Sequence, residues 1–130
     1  MMLNNIYTVA KLVENVKNNY SDKEIYFGEW LDEFYRVSNS VKQLMVDAEP
    51  NYLTENKMFM VYVAASVEYL TNTYSLSKPK WVDNEKYYSS IEYFAFDTTI
   101  NEYQDYLRKT SPIEFSKRNL FVGENVLKRV

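Results

Sequence analysis

The chain has 130 residues, 46% hydrophobic and 25% charged, with a formal net charge of −3 and a pI near 5.0; these values suit one globular domain and exclude a disordered chain. It contains no cysteine and no histidine, and its only glycines are Gly28 and Gly123. Thiol and disulfide chemistry, histidine general bases and histidine-ligated zinc are thereby excluded, as are the glycine-rich phosphate cradles of Rossmann and P-loop proteins.

Tyrosine (13) and phenylalanine (7) are abundant while glycine (2) and proline (3) are scarce. Tyr, Phe, Lys and Asn use AT-rich codons, so part of the bias is expected to reflect a low-GC genome, that of a bacterium or one of its phages. The shortage of turn residues argues against an all-β fold. The expected class is all-α: a compact single-domain helical bundle with a central buried helix and an irregular aromatic-rich connector. Residues 1–20 lack a basic region followed by an apolar run and read as an amphipathic helix, not a signal peptide. The longest apolar run, residues 58–65, falls far short of the ~20 residues needed to span a bilayer. Together with the absence of cysteine, this points to the cytoplasm.

In chain order, Ile6, Val9, Ala10, Val13, Val16 and Tyr20 follow helical spacing and predict a helix over residues 5–19. Ser21 and Glu24 have the spacing of a capping box that restarts the chain. An apolar stripe then runs from Phe27 through Trp30, Leu31, Phe34, Val37, Val41, Leu44 and Met45 to Ala48. It crosses Ser38-Asn39-Ser40, residues that prefer local hydrogen bonds to helix interior, so one long helix and two pieces with a soft joint both fit. Pro50 ends it. Thr54 caps an expected central helix over residues 55–74, apolar all round in its middle and therefore the buried centre of the bundle. Residues 81–96 carry aromatics without clean periodicity and read as the connector. Thr99 and Glu102 repeat the capping-box spacing before a helix to about Lys109, with Ile100, Tyr103 and Leu107 inward. Ser111-Pro112-Ile113-Glu114 combines cap, proline and glutamate into a strong start signal for a short helix to about Arg118. Leu120-Phe121-Val122 reads as extended or a turn, Gly123 reverses the chain, and residues 125–130 form a last turn or coil.

Little here carries chemistry, and an enzyme is not expected; nor is any cofactor. Glu29, Asp32 and Glu33 share a helix face that can hold a hard cation such as Mg²⁺, although a solvated face opposite Trp30 and Phe34 is the better reading. Trp81, Tyr87 and Tyr88, with Lys78, Lys80 and Lys86, can stack on nucleic-acid bases. Asp83, Glu85 and Glu92 interrupt that cluster and favour an aromatic cover over one end of the core. The tail is basic: Arg108, Lys109, Lys117, Arg118, Lys128 and Arg129 against Glu114 and Glu124. That suits phosphate or an acidic partner equally. Exposed tyrosines favour protein interfaces, because each offers large area at small entropic cost.

Several motifs resemble a group of small bacterial proteins encoded beside nucleotidyltransferase-like proteins in loci that look like toxin–antitoxin modules. They are Glu68-Tyr69-Leu70, Tyr74, Pro79-Lys80-Trp81-Val82, Ser111-Pro112-Ile113-Glu114-Phe115, Arg118-Asn119-Leu120-Phe121-Val122 and Glu124-Asn125-Val126-Leu127-Lys128-Arg129-Val130, with Leu31-Asp32-Glu33-Phe34-Tyr35 and Glu49-Pro50 in the first half. The resemblance implies a non-enzymatic, antitoxin-like companion of a partner protein, possible partners including a nucleotidyltransferase-like toxin. Candidate partner-binding residues are Trp81, Phe115, Arg118, Asn119, Phe121, Glu124, Asn125 and Arg129. Two readings of the terminal motif stand side by side: an apolar anchor ringed by polar groups that grips a partner, or a clasp that packs on the chain's own core. A nucleic-acid-binding regulator using the basic tail is the alternative function. No membrane association is expected.

Overall fold

The computed structural model describes residues 5–129. The first helix, α1 (Val9–Asn18), starts where Thr8 is extended (φ −75°, ψ 159°) and its hydroxyl accepts from the Lys11 amide at 3.2 Å. Val9, Leu12, Val13 and Val16 are buried along one stripe, the i, i+3, i+4, i+7 pattern of a helix lying on a core. A 3₁₀ turn (Tyr20–Asp22) leads directly into α2 (Lys23–Arg36). The capping box expected at Ser21 does not form: its hydroxyl donates to Asn19 Oδ1, and Asp22 holds the cap position without a side-chain bond.

The long apolar stripe is two helices. Val37 (ψ 168°) and Ser38 (ψ 164°) are extended between α2 and α3 (Asn39–Asp47). Lys42 shows why the break is stable. Its side chain is buried between the Phe34 and Tyr74 rings, 5.5 and 4.8 Å from their centroids, and its ammonium donates to the Val37 carbonyl at 2.6 Å. A cation thus satisfies an acceptor that the interrupted helix frees.

α4 (Lys57–Thr73) is the centre, as its sequence predicts. Phe59, Met60, Val61, Val63, Ala64, Ala65, Val67 and Leu70 are all buried. Its cap position falls on Asn56 without a side-chain bond, not on Thr54. After Pro79 come two 3₁₀ turns, Lys80–Asp83 and Glu85–Tyr87, then a two-residue strand, β1 (Tyr93–Phe94). This strand pairs in parallel with β2 (Leu120–Phe121), Tyr93 opposite Leu120 and Phe94 opposite Phe121. No strand pair is expected from the apolar periodicity of these segments.

Between the strands lie α5 (Asn101–Thr110) and the single turn α6 (Ile113–Ser116). Neither takes its expected cap. Ile100 precedes α5 without a side-chain bond, and Thr98 Oγ1 accepts from the Ile100 amide instead. Ser111 does something other than capping: its hydroxyl donates back to the Leu107 carbonyl and accepts from the amides of Val122 and Gly123, at 2.6, 2.8 and 2.9 Å. It therefore ties the end of α5 to the chain leaving β2. Gly123 reverses the chain at φ +89°, a conformation that favours glycine.

The apolar interior has two parts. A large cluster runs from Ile6 to Leu127 and includes α1 to α4, Trp81, Val82, Tyr87, Phe115 and Leu120. A small satellite consists of Phe94, Leu107 and Phe121, with Ala95 packed against it. Among the described residues no helix is long and apolar enough to cross a membrane.

Candidate interaction groove

The seam between the main body and the satellite is not filled. It forms an open groove of about 820 Å³. One wall comes from α2 and α4, with Phe27, Leu31, Met58, Phe59 and Tyr62; the other comes from β1, the 3₁₀ turn after it (Ala95–Asp97) and α5, with Tyr93, Phe96, Tyr103 and Tyr106; the terminal segment supplies Glu124, Asn125, Lys128 and Arg129. The cause is the weak inward face of α5. Of the residues expected inward, only Leu107 is buried, while Ile100 and Tyr103 are exposed. Tyr103 and Tyr106 instead lie parallel, centroids 6.1 Å apart and planes 10° from each other, at the groove's edge. On the opposite wall Tyr20 meets Phe59 edge-on at 6.2 Å, and Phe27 meets Tyr62 at 5.2 Å. Burial pushes the Tyr62 phenol up to about 12, so it is neutral over the whole physiological range.

Phe96 stands at the mouth of this groove. It is 88% exposed, and its backbone is left-handed (φ 60°, ψ 19°), followed by Asp97 at φ 52°. Asp tolerates that region; a bulky aromatic residue does so at a cost of about 1–2 kcal/mol.

The terminal segment closes on α2. Leu127 is buried, the Tyr35 hydroxyl donates to the Leu127 carbonyl at 2.8 Å, and Arg129 grips Asp32 through Nε and Nη2 at 2.8 and 3.1 Å. The guanidinium lies over Gly28, where a Cβ would come within 2.9 Å of Arg129 Nη2. The Arg129 hydrogen bond holds the exposed Asp32 carboxyl below its usual range, and burial pushes the Tyr35 phenol up to about 12. Glu33 pairs separately with Arg36. Two of the three carboxylates on that face, Asp32 and Glu33, are thus held by arginines, and no group of three or more side chains able to hold a metal ion occurs among the described residues.

A buried ionic cluster fixes the first half of the terminal motif. Glu68 on α4 faces Lys117 at 2.6 Å and Arg118 Nη1 at 2.9 Å. The Arg118 contact is a charge contact without a linear hydrogen bond, since Glu68 Oε1 and Arg118 Nε have no hydrogen-bond partner. The Arg118 guanidinium donates instead to the carbonyls of Glu114 and Val82, both at 2.8 Å, and stacks over Tyr88. Burial alone raises the Glu68 carboxyl, but Lys117 and Arg118 outweigh it and hold the group below the usual carboxylate range.

The eight candidate partner-binding residues therefore divide. Trp81, Phe115, Arg118 and Phe121 are buried. Trp81 donates its indole N–H to the Val46 carbonyl, Phe115 packs beside Tyr62 and Tyr69, and Phe121 stacks on Phe94. Asn119, half-buried at φ +64°, donates to the Ser89 carbonyl. Phe115, Arg118, Asn119 and Phe121 of the terminal motif thus pack within the chain's own fold, and Trp81 of the connector does so too. Glu124, Asn125 and Arg129 are exposed and line the groove. Val130, the end of that motif, lies outside the described residues. Of the three rings expected to stack on bases, Trp81 and Tyr87 are buried, the Tyr87 hydroxyl donating to Glu49, while Tyr88 is half-buried under the Arg118 guanidinium. Phe96, Tyr103 and Tyr106 were missed by sequence reasoning. The signal present was an aromatic pair at i, i+3 on a helix with too few apolar residues to bury both.

No family model, curated protein or solved structure matches this chain.

Proposed function

We propose that the protein is a non-enzymatic binding companion, antitoxin-like in role, that holds a partner protein inactive by taking an apolar segment of it into the groove. The observation that carries this reading is the open aromatic groove, with Phe96, Tyr103 and Tyr106 displayed to solvent at its edge. Rigid aromatic side chains around a recess are the usual source of binding free energy at protein interfaces. The lining mixes the apolar walls with Glu124, Asn125, Lys128 and Arg129 at the rim, which matches an apolar centre ringed by polar groups. The antitoxin-like role and the nucleotidyltransferase-like partner rest on the resemblance of the terminal motif.

Co-expression with the product of the adjacent gene tests this. A stable complex and relief of that product's toxicity are expected with the native chain. Phe96→Ser/Tyr103→Ser/Tyr106→Ser, changing exposed rings only, should lose both. A complex that forms equally well with this variant removes the groove from the account. Absence of any complex removes the companion role.

A further inference from the structure

We infer that the free protein pairs with a second copy of itself through this groove, Phe96 of each chain seated in the groove of the other. The inference takes the groove's location from the reading above and adds its own occupant. Its first support is a knob beside a recess. Phe96 is the most exposed large apolar side chain among the described residues, and it also borders the groove. A two-fold contact requires one patch that complements itself, and a protruding ring beside an aromatic recess is such a patch.

Charge supplies the second support. Asp97, next to the knob, is exposed and makes no ion pair among the described residues. Lys128, in the groove lining, is likewise exposed and unpaired among them. Pairing delivers the Asp97 of each copy, along with Phe96, towards the Lys128 of the other. The remaining charges of the lining are of both signs: Lys23 lies over the Tyr20 ring, Arg129 is bound to Asp32, and Glu24 and Glu124 oppose them. No single-sign field repels a second copy. Self-pairing would also keep the groove covered until a partner displaces the copy, so it would lower the partner's apparent affinity.

Sedimentation velocity over chain concentrations from micromolar to millimolar tests the inference without any partner. The native chain should move from one chain mass towards two as concentration rises. Phe96→Ser and Phe96→Gly should stay at one chain mass throughout; the glycine form removes the ring while relieving the positive φ, so it controls for folding. Asp97→Lys should weaken pairing by at least about tenfold, and adding Lys128→Glu should restore it. A native chain that stays single at millimolar concentration overturns the inference, as does a Phe96 variant that pairs like the native chain. Failure to restore pairing with the charge swap overturns the Asp97–Lys128 contact. Partner binding is measured separately, so either proposal can fail while the other stands.

Discussion

The buried Arg118 shows how much one residue's reading depends on its surroundings. In the sequence it belongs to a basic tail suited to phosphate or an acidic partner. In the structure it is fully buried, held by Glu68, two backbone carbonyls and the Tyr88 ring. Removing one member of a buried ion pair leaves the other charge poorly compensated, so Arg118→Met should cost about 3 kcal/mol in urea unfolding. A loss under about 1 kcal/mol, the range of an exposed pair, would contradict the burial. Glu68 makes the same point through pH. Its folded pKa lies below the unfolded value of 4.5, so its contribution is whole above pH 4.5 and is lost as the pH falls through the folded value. Glu49 acts in the same direction: burial raises it, but the Tyr87 hydroxyl and Lys86 ammonium hold it below the usual range. The stability gap between the native chain and Glu68→Gln should therefore be widest at neutral pH and close progressively in acid. A gap independent of pH would show that the carboxylate charge contributes nothing.

At the scale of elements, legibility followed apolar periodicity. α4 was legible because it is apolar on every side, and only a central position buries such a helix. The break between α2 and α3 was visible only as a soft spot at Ser38 to Ser40, because its cause, a lysine buried between aromatic rings, has no sequence pattern. The strand pair was illegible for another reason. Each strand has two residues, and their register depends on contacts between distant segments. The capping boxes at Ser21 and Ser111 failed because their hydroxyls found other partners, most clearly Ser111, which joins α5 to the chain after β2. The α2–terminal clasp gives a test at this scale. Gly28→Ala adds about 1 kcal/mol of helix propensity and pushes the flexible Arg129 guanidinium aside, losing an exposed pair of comparable or smaller value. Thermal melting should show Gly28→Ala equal to or more stable than native, and Asp32→Ala should have no further effect in that background. Additive effects would mean that Arg129 does not lie over Gly28.

Across the whole molecule, the main cluster and the three-residue satellite differ greatly in buried apolar content. Regions with few buried apolar contacts open first, so amide exchange should be faster in residues 93–110 than in α4. Leu107→Ala removes the only buried side chain of α5 and should accelerate exchange there while leaving α4 protected. Uniform exchange across both parts would show one cooperative unit. The groove exists because the satellite does not press fully onto the main body, and nothing in the local sequence announces that gap. The terminal motif was legible as important but not as divided: its first half fixes the fold, and Glu124, Asn125 and Arg129 line the groove. The most direct test of the central claim, that this groove is the interaction face, is titration calorimetry of the adjacent gene's product into the native chain and into Phe96→Ser/Tyr103→Ser/Tyr106→Ser. The groove account predicts an affinity loss of at least about tenfold in the variant, as for aromatic anchors at an interface centre. Equal affinity in the two, with the fold intact, would contradict it.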